Sequence, residues 1–187
     1  IRGSKVVVVS DFVREFMKDL CCIVTLGKPF APLSKLVTTP KGVKRTDLVR
    51  SGEDVEIPIR MSDRNGKQHD YILCVSGWLG AYESTKGRRA KMTDFPDNFI
   101  SIFANKKMGE FNILPQVGQN KMNEVYVVGQ LHVDLFEASE LPDMALSNRQ
   151  GYKTEDPRYQ ALLKYVRNDL LAEVLAKREK FTDYKNA

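Results

Sequence analysis

A chain of 187 residues and 21.3 kDa has room for one substantial domain, or for one domain with a structured extension. Its 42% hydrophobic and 28% charged residues lie near globular averages, which excludes wholesale disorder and fibrous repeats. Lys and Arg number 29 against 24 Asp and Glu, a formal charge of +5 that permits a polyanionic partner without demanding one. No apolar run approaches the ~20 residues of a membrane helix, so no membrane association is expected and the cytoplasm is the expected compartment. Cys21 and Cys22 are adjacent, Cys74 stands alone, and only His69 and His132 complete the soft-ligand inventory. With no CxxC pair, neither a disulfide framework nor a metal site is expected. Phosphate-loop, dinucleotide-fingerprint, nucleophile-elbow and HExxH motifs are all missing, which argues against a self-contained catalyst. The start at Ile1, without methionine, reads as an excised fragment in which residues 1–4 need not be native.

In chain order, residues 5–9 (Lys-Val-Val-Val-Val) predict a short buried strand, and Ser10 or Asp11 can cap a helix by accepting backbone N–H groups. Phe12, Val13, Phe16 and Leu20 would give that helix one apolar face. From Gly27 to Gly52, Pro29, Pro32, Pro40 and Gly42 break regular structure, while Lys35, Lys41, Lys44 and Arg45 make the stretch basic. It reads as a connector, dividing the chain into an extension at 1–50 and a main domain at 51–187.

Strand signals then accumulate. Val55, Ile57 and Ile59 alternate with polar residues, Asp63-Arg64-Asn65-Gly66 supplies a tight turn, and residues 71–78 form the return strand of a hairpin. A third strand is predicted over 98–104, apolar enough to be covered on both faces, and a fourth over 125–136. Asp156 caps a final helix with Pro157 at its first position. Tyr159, Leu162, Leu163, Val166, Leu170 and Val174 recur at steps of three and four and carry that helix to about Lys180. Strands followed by a long amphipathic helix predict an α+β fold with a two-layer sheet and helices.

Three segments invite a functional reading. Lys86, Arg88, Arg89 and Lys91, bent by Gly87, suit contact with a nucleic-acid backbone, or simply a solvated loop. Asn105-Lys106-Lys107-Met108-Gly109 reads locally as a hairpin turn with exposed lysines. Between the fourth strand and the last helix, Asn148, Arg149 and Gln150 crowd a loop in which a guanidinium can meet a phosphate in bidentate fashion. The competing reading is a turn closed by Ser147 and Asn148, with Arg149 paired to Asp143 or Asp156. His132 and Asp134 alternate on one face of the fourth strand, a pair that is usually structural.

The order of these segments resembles a known family. Ile102-Phe103-Ala104-Asn105-Lys106-Lys107 looks like the strand and Arg-Asn-x-Arg segment in the second domain of GHKL ATPases, the superfamily of gyrase B, MutL and the Microrchidia ATPases, here of bacterial type. The stretch from Val128 to Phe136, followed by Ser147-Asn148-Arg149-Gln150, resembles the strand and Asn-Lys-Gln block of the same domain. The likeness runs in order over about residues 54–180.

That resemblance implies a transducer domain with the fold of the second domain of ribosomal protein S five, including a left-handed βαβ crossover against the usual handedness. It implies that ATP and Mg are bound mainly by an upstream domain absent from this chain, since that domain's acidic-x-x-x-Asn and Asp-x-Gly-x-Gly motifs do not occur here. Arg149 stands where the family has a lysine on the γ-phosphate, with Asn148 and Gln150 as flanking nucleotide contacts. A homodimer in the full-length protein, DNA-related work and genome-maintenance (DNA repair) or phage-defence roles follow as expectations. The alternatives are a stand-alone α+β nucleic-acid-binding module and a free-standing enzyme built on His132 and Asp134.

Overall fold

The computed structural model describes residues 17, 19–84 and 98–186. The strand expected at 5–9 and most of the first expected helix lie outside these described residues. Leu20, which its spacing assigns to that helix, instead opens β1 (Leu20–Leu26), a strand buried along its whole length. β2 (Val49–Gly52), β3 (Val55–Ser62), β4 (Gln68–Tyr82), β5 (Phe99–Ala104), β6 (Lys107–Glu110) and β7 (Val127–His132) follow. They form one sheet in the order β2-β1-β4-β7-β5-β6, with β3 paired to β4 off this path. The β1–β2 and β5–β7 pairs are parallel and the others antiparallel, a mixed α/β architecture.

The stretch expected as a connector is built into this sheet. A 3-10 helix at Lys28–Leu36, a short turn at Arg45–Asp47 and β2 fill it. Pro29 lies in the first turn of the 3-10 helix, where a missing N–H and a fixed φ do no harm. The division expected after residue 50 therefore cuts through β2, and β1 sits inside the sheet between β2 and β4. Residues 20–50 pack into the same two cores as the described residues that follow them.

β4 is the longest strand, at 15 residues. Its first half pairs with β3, from Ser62 opposite Gln68 to Val55 opposite Val75, around the turn that Asp63, Asn65 and Gly66 close. Its second half lies between β1 and β7. Gly77 marks the change of partner with φ at 129°, a conformation that favours glycine. A Cβ there would stand 2.2 Å from the Gln130 carbonyl oxygen.

Besides short 3-10 turns, the chain after β6 forms α1 (Leu114–Val117), α2 (Pro157–Tyr165) and, after a π turn at Val166–Leu170, α3 (Leu171–Asn186). Asp156 caps α2 by accepting the Arg158 N–H, and Pro157 occupies the first turn. Leu162, Val166, Leu170 and Val174 join Val24, Leu79, Ile100 and Leu131 in the larger core. A second core lies on the other face, where Phe30 and Leu33 of the 3-10 helix meet Ile23, Trp78 and Val128. The two expected layers are thus corrected to a sheet covered on both faces, because the 27–52 stretch folds back over it. No helix among the described residues is long and apolar enough to cross a membrane.

Candidate functional site

The loop between β7 and α2 is anchored at its base by Arg158, whose side chain is wholly buried. Its Nη1 donates to the Leu135 carbonyl at 3.0 Å and its Nη2 to the Pro142 carbonyl at 2.6 Å. Asp156 accepts from Arg158 Nε at 3.0 Å and from Nη2 at 2.9 Å. A buried guanidinium is tolerable only when its donors are met by charge and carbonyl oxygens in this way.

Above that anchor the loop narrows into a small hairpin. Ala145 and Tyr152 form a β-bridge, Lys153 N–H donates to the Met144 carbonyl at 2.8 Å, and Leu146 N–H to the Gly151 carbonyl at 2.9 Å. Arg149 N–H closes the tip on the Leu146 carbonyl at 2.9 Å, and Gln150 N–H donates to Asn148 Oδ1 at 3.0 Å. Arg149 takes a φ of 60°, an uncommon left-handed conformation for a residue with a Cβ. The tip is a turn, as one reading of the sequence has it, and Asn148, Arg149 and Gln150 are all exposed on it.

The Arg149 side chain is 73% exposed, and its Nη1 lies 3.9 Å from Asp143 Oδ2. A surface pair at that distance is weak. The Ala145 N–H bond, then the Arg149 and Lys153 charges, hold the Asp143 carboxyl below its ordinary range, so this carboxylate stays ionised beside the guanidinium. The arrangement can receive an anion: a hydrogen-bonded turn presents an exposed five-donor fork to solvent.

The hairpin rests on β6. Glu110 Oε1 accepts the Tyr159 hydroxyl at 2.7 Å and the Tyr152 N–H at 3.2 Å. Burial pushes the Glu110 carboxyl above its ordinary value, against the pull of those two bonds. Tyr152 packs edge-on to Phe136, ring centroids 4.9 Å apart, and a Cβ on Gly109 would fall 1.5 Å from its hydroxyl. Glu110, Tyr152, Tyr159 and Arg158 are not among the residues that the sequence marks as supports of the loop. Their only sequence signal is a carboxylate and two tyrosines at positions that the pattern gives to core or strand ends.

The remaining expected residues fall elsewhere. Lys86, Arg88, Arg89 and Lys91 lie outside the described residues. Asn105 and Lys106, with φ of 49° and 68°, make the tight turn between β5 and β6, so the hairpin reading of this segment holds. The His132 and Asp134 pair does not form a dyad on one strand. Asp134 opens a 3-10 turn (Asp134–Glu137) and accepts the Asn105 N–H at 2.7 Å. His132 sits between the Phe30 and Phe103 rings at 5.1 and 5.0 Å, and burial lowers its pKa. Among the described residues no three His, Cys, Asp or Glu side chains converge as a metal site would require.

Fold and loop together define a mixed α/β domain whose β7–α2 loop carries a hydrogen-bonded hairpin with Arg149 exposed at its tip. No protein-family model matches the chain, and no solved structure does. A stretch of 101 residues is 30% identical to a curated protein of Herpetosiphon aurantiacus described as the putative type II restriction enzyme HgiDII. That stretch is 53% of this chain and 15% of the relative, so the chain spans a small part of the length of the protein it matches.

Proposed function

We propose that this chain is the transducer part of a longer GHKL-type ATPase of bacterial type engaged in DNA-related work, with genome maintenance or phage defence as its setting. In this reading it has the fold of the second domain of ribosomal protein S five with a left-handed crossover. The observation that carries the proposal is the Arg149 hairpin: an exposed guanidinium, weakly paired at 3.9 Å, on a tip held by backbone and Asx hydrogen bonds. A cation so placed is suited to an anion delivered from outside this domain.

The donor set fits the terminal phosphate of a nucleotide and does not fit a magnesium ion. Asn148, Arg149 and Gln150 offer a guanidinium and two side-chain amides, whereas Mg prefers several oxygens in octahedral array. ATP and Mg are therefore assigned mainly to an upstream ATP-binding domain of the same protein. ATP supplies the scissile phosphoanhydride. Arg149 binds the γ-phosphate, stabilises the negative charge on its oxygens and distinguishes ATP from ADP, which lacks that group. Arginine in place of the family lysine keeps the charge and adds fork geometry. Departure of the γ-phosphate after hydrolysis frees the two domains from one another, which couples turnover to dimerisation or to DNA.

In the protein that carries both domains, Arg149→Ala is expected to lower kcat by about 10²-fold or more, with little change in ATP affinity. Turnover at the wild-type rate would overturn the assignment. The likeness to a protein described as a putative restriction enzyme favours DNA as a partner, and Lys86, Arg88, Arg89 and Lys91 are the proposed backbone contacts. Replacing all four by Ser is expected to weaken DNA binding and flatten its dependence on salt, the slope falling by ~0.9 for each phosphate left without its cation. A salt titration of DNA affinity with an unchanged slope would remove that role and leave the nucleotide role standing. The stand-alone nucleic-acid-binding module remains the alternative, and tight, salt-dependent DNA binding by this chain with no ATPase sequence upstream of it would favour that reading.

A further inference from the structure

Cys21 and Cys22 are neighbours on a strand, where successive side chains ordinarily face opposite sides. Here they do not. β1 slips by one residue against β4: Leu20 faces Tyr82, but Cys22, two residues on, faces Ala81. The extra residue is a β-bulge, and it cancels the alternation at Cys21. Both cysteines belong to the core beneath α3, while Leu20 and Ile23 on either side belong to the core on the other face. Cys22 Sγ lies 3.7 Å from the Val174 carbonyl of α3. Both thiols are buried, and Cys21 backs a cleft of about 390 Å³ whose walls include Lys41, Phe181, Tyr184 and Lys185, so a reagent would reach Cys21 first and Cys22 through it.

From this geometry we infer that Cys21 and Cys22 are a vicinal dithiol site, which chelates a soft electrophilic centre such as trivalent arsenic between the two sulfurs. The backbone argues for a bridging atom over a direct S–S bond. Adjacent Cα atoms across a trans peptide are about 3.8 Å apart, short of the roughly 4.4–6.8 Å that disulfides adopt. A third atom between the sulfurs relaxes that constraint. The pair is electrostatically unequal: Cys22, helped by Arg178, holds the Cys21 thiol below its ordinary pKa against burial and Glu83, while Cys21 and burial push Cys22 well above its own, so Cys21 is the thiol that ionises and Cys22 gives up its proton only as its bond to the bridging atom forms. The thiolate is the metal-ligating form.

The reaction balances without an oxidant. An arsonous group R–As(OH)₂ loses both As–O bonds, two S–H bonds break, two As–S bonds form, and two waters leave. Arsenic stays trivalent. Phenylarsonous acid is the probe, added to the full chain under native conditions and followed by intact mass. The expected result is one phenylarsenic group per chain, with far-UV circular dichroism unchanged. It is retained in Cys74→Ser, lost in Cys21→Ala and in Cys22→Ala, and resistant to excess glutathione but removed by 2,3-dimercaptopropanol. Uptake only after denaturation, or an adduct that glutathione strips, would overturn the inference. Both of those outcomes are read on the wild-type chain and do not depend on the variants folding.

Discussion

Arg158 and Glu110 hold the candidate loop by different chemistry, and they predict different sensitivities. Arg158 is buried with its donors spread over two carbonyls and one carboxylate, so removing it would leave the Asp156 carboxylate without its charge partner and the Pro142 carbonyl without this donor, at a cost of about 3–5 kcal/mol. Glu110 is a half-buried carboxyl whose pKa is raised by burial. The folded state therefore holds its proton more tightly than the unfolded chain does. Its contribution to stability is complete below the ordinary value of 4.5 and is lost as pH rises through the higher folded value. Glu110→Gln keeps an oxygen for Tyr159 and Tyr152 and removes the titration. Urea unfolding at about pH 4 and about pH 7 is expected to show the variant losing less stability than wild type across that interval. Parallel pH profiles for the two proteins would exclude the carboxyl as the cause.

At the scale of elements, β4 depends on one backbone conformation. Gly77 combines a φ of 129° with carbonyl contact at 2.2 Å for any added Cβ, so Gly77→Ala meets strain and a backbone clash together. The expected loss is at least about 2 kcal/mol, read as a lower urea midpoint with an unchanged slope. Elements marked by alternation or by caps were legible in the sequence. The Asn65-Gly66 turn, the β3–β4 hairpin and the Asp156-Pro157 helix start all appear near where their residue types put them. β1 was not legible, because Leu-Cys-Cys-Ile-Val-Thr-Leu is buried on both faces and carries no period. The loop shows the same split. Arg149 and its polar neighbours could be picked out by residue type, whereas their supports lie far off in sequence, as Glu110 lies 42 residues from Tyr152. No local pattern encodes such a contact.

For the whole molecule, the sheet makes residues 20–50 indispensable. β1 is buried along its length between β2 and β4, and Arg50 fastens β2 to α3 through a two-point pair with Glu173 at 2.6 and 2.8 Å. A fragment of residues 51–187 would expose one side of β4 and strip apolar partners from both cores. It is expected to lose cooperative unfolding and dispersed amide resonances, where an independent domain at 51–187 would keep both. The resemblance to transducer domains begins near residue 54 and does not reach β1.

The turn at 63–66 reaches the candidate loop as well as closing β3 on β4. Arg64 N–H donates to the Glu140 carbonyl at 3.0 Å and Arg64 Nε to the Ser139 carbonyl at 2.7 Å. β4 runs from that turn for 15 residues, about 50 Å at strand rise, into the middle of the sheet. The Arg149 loop thus shares its anchors with two distant elements, α2 through Arg158 and the start of β4 through Arg64, so a substitution at the 63–66 turn is felt at the loop as well as in the hairpin.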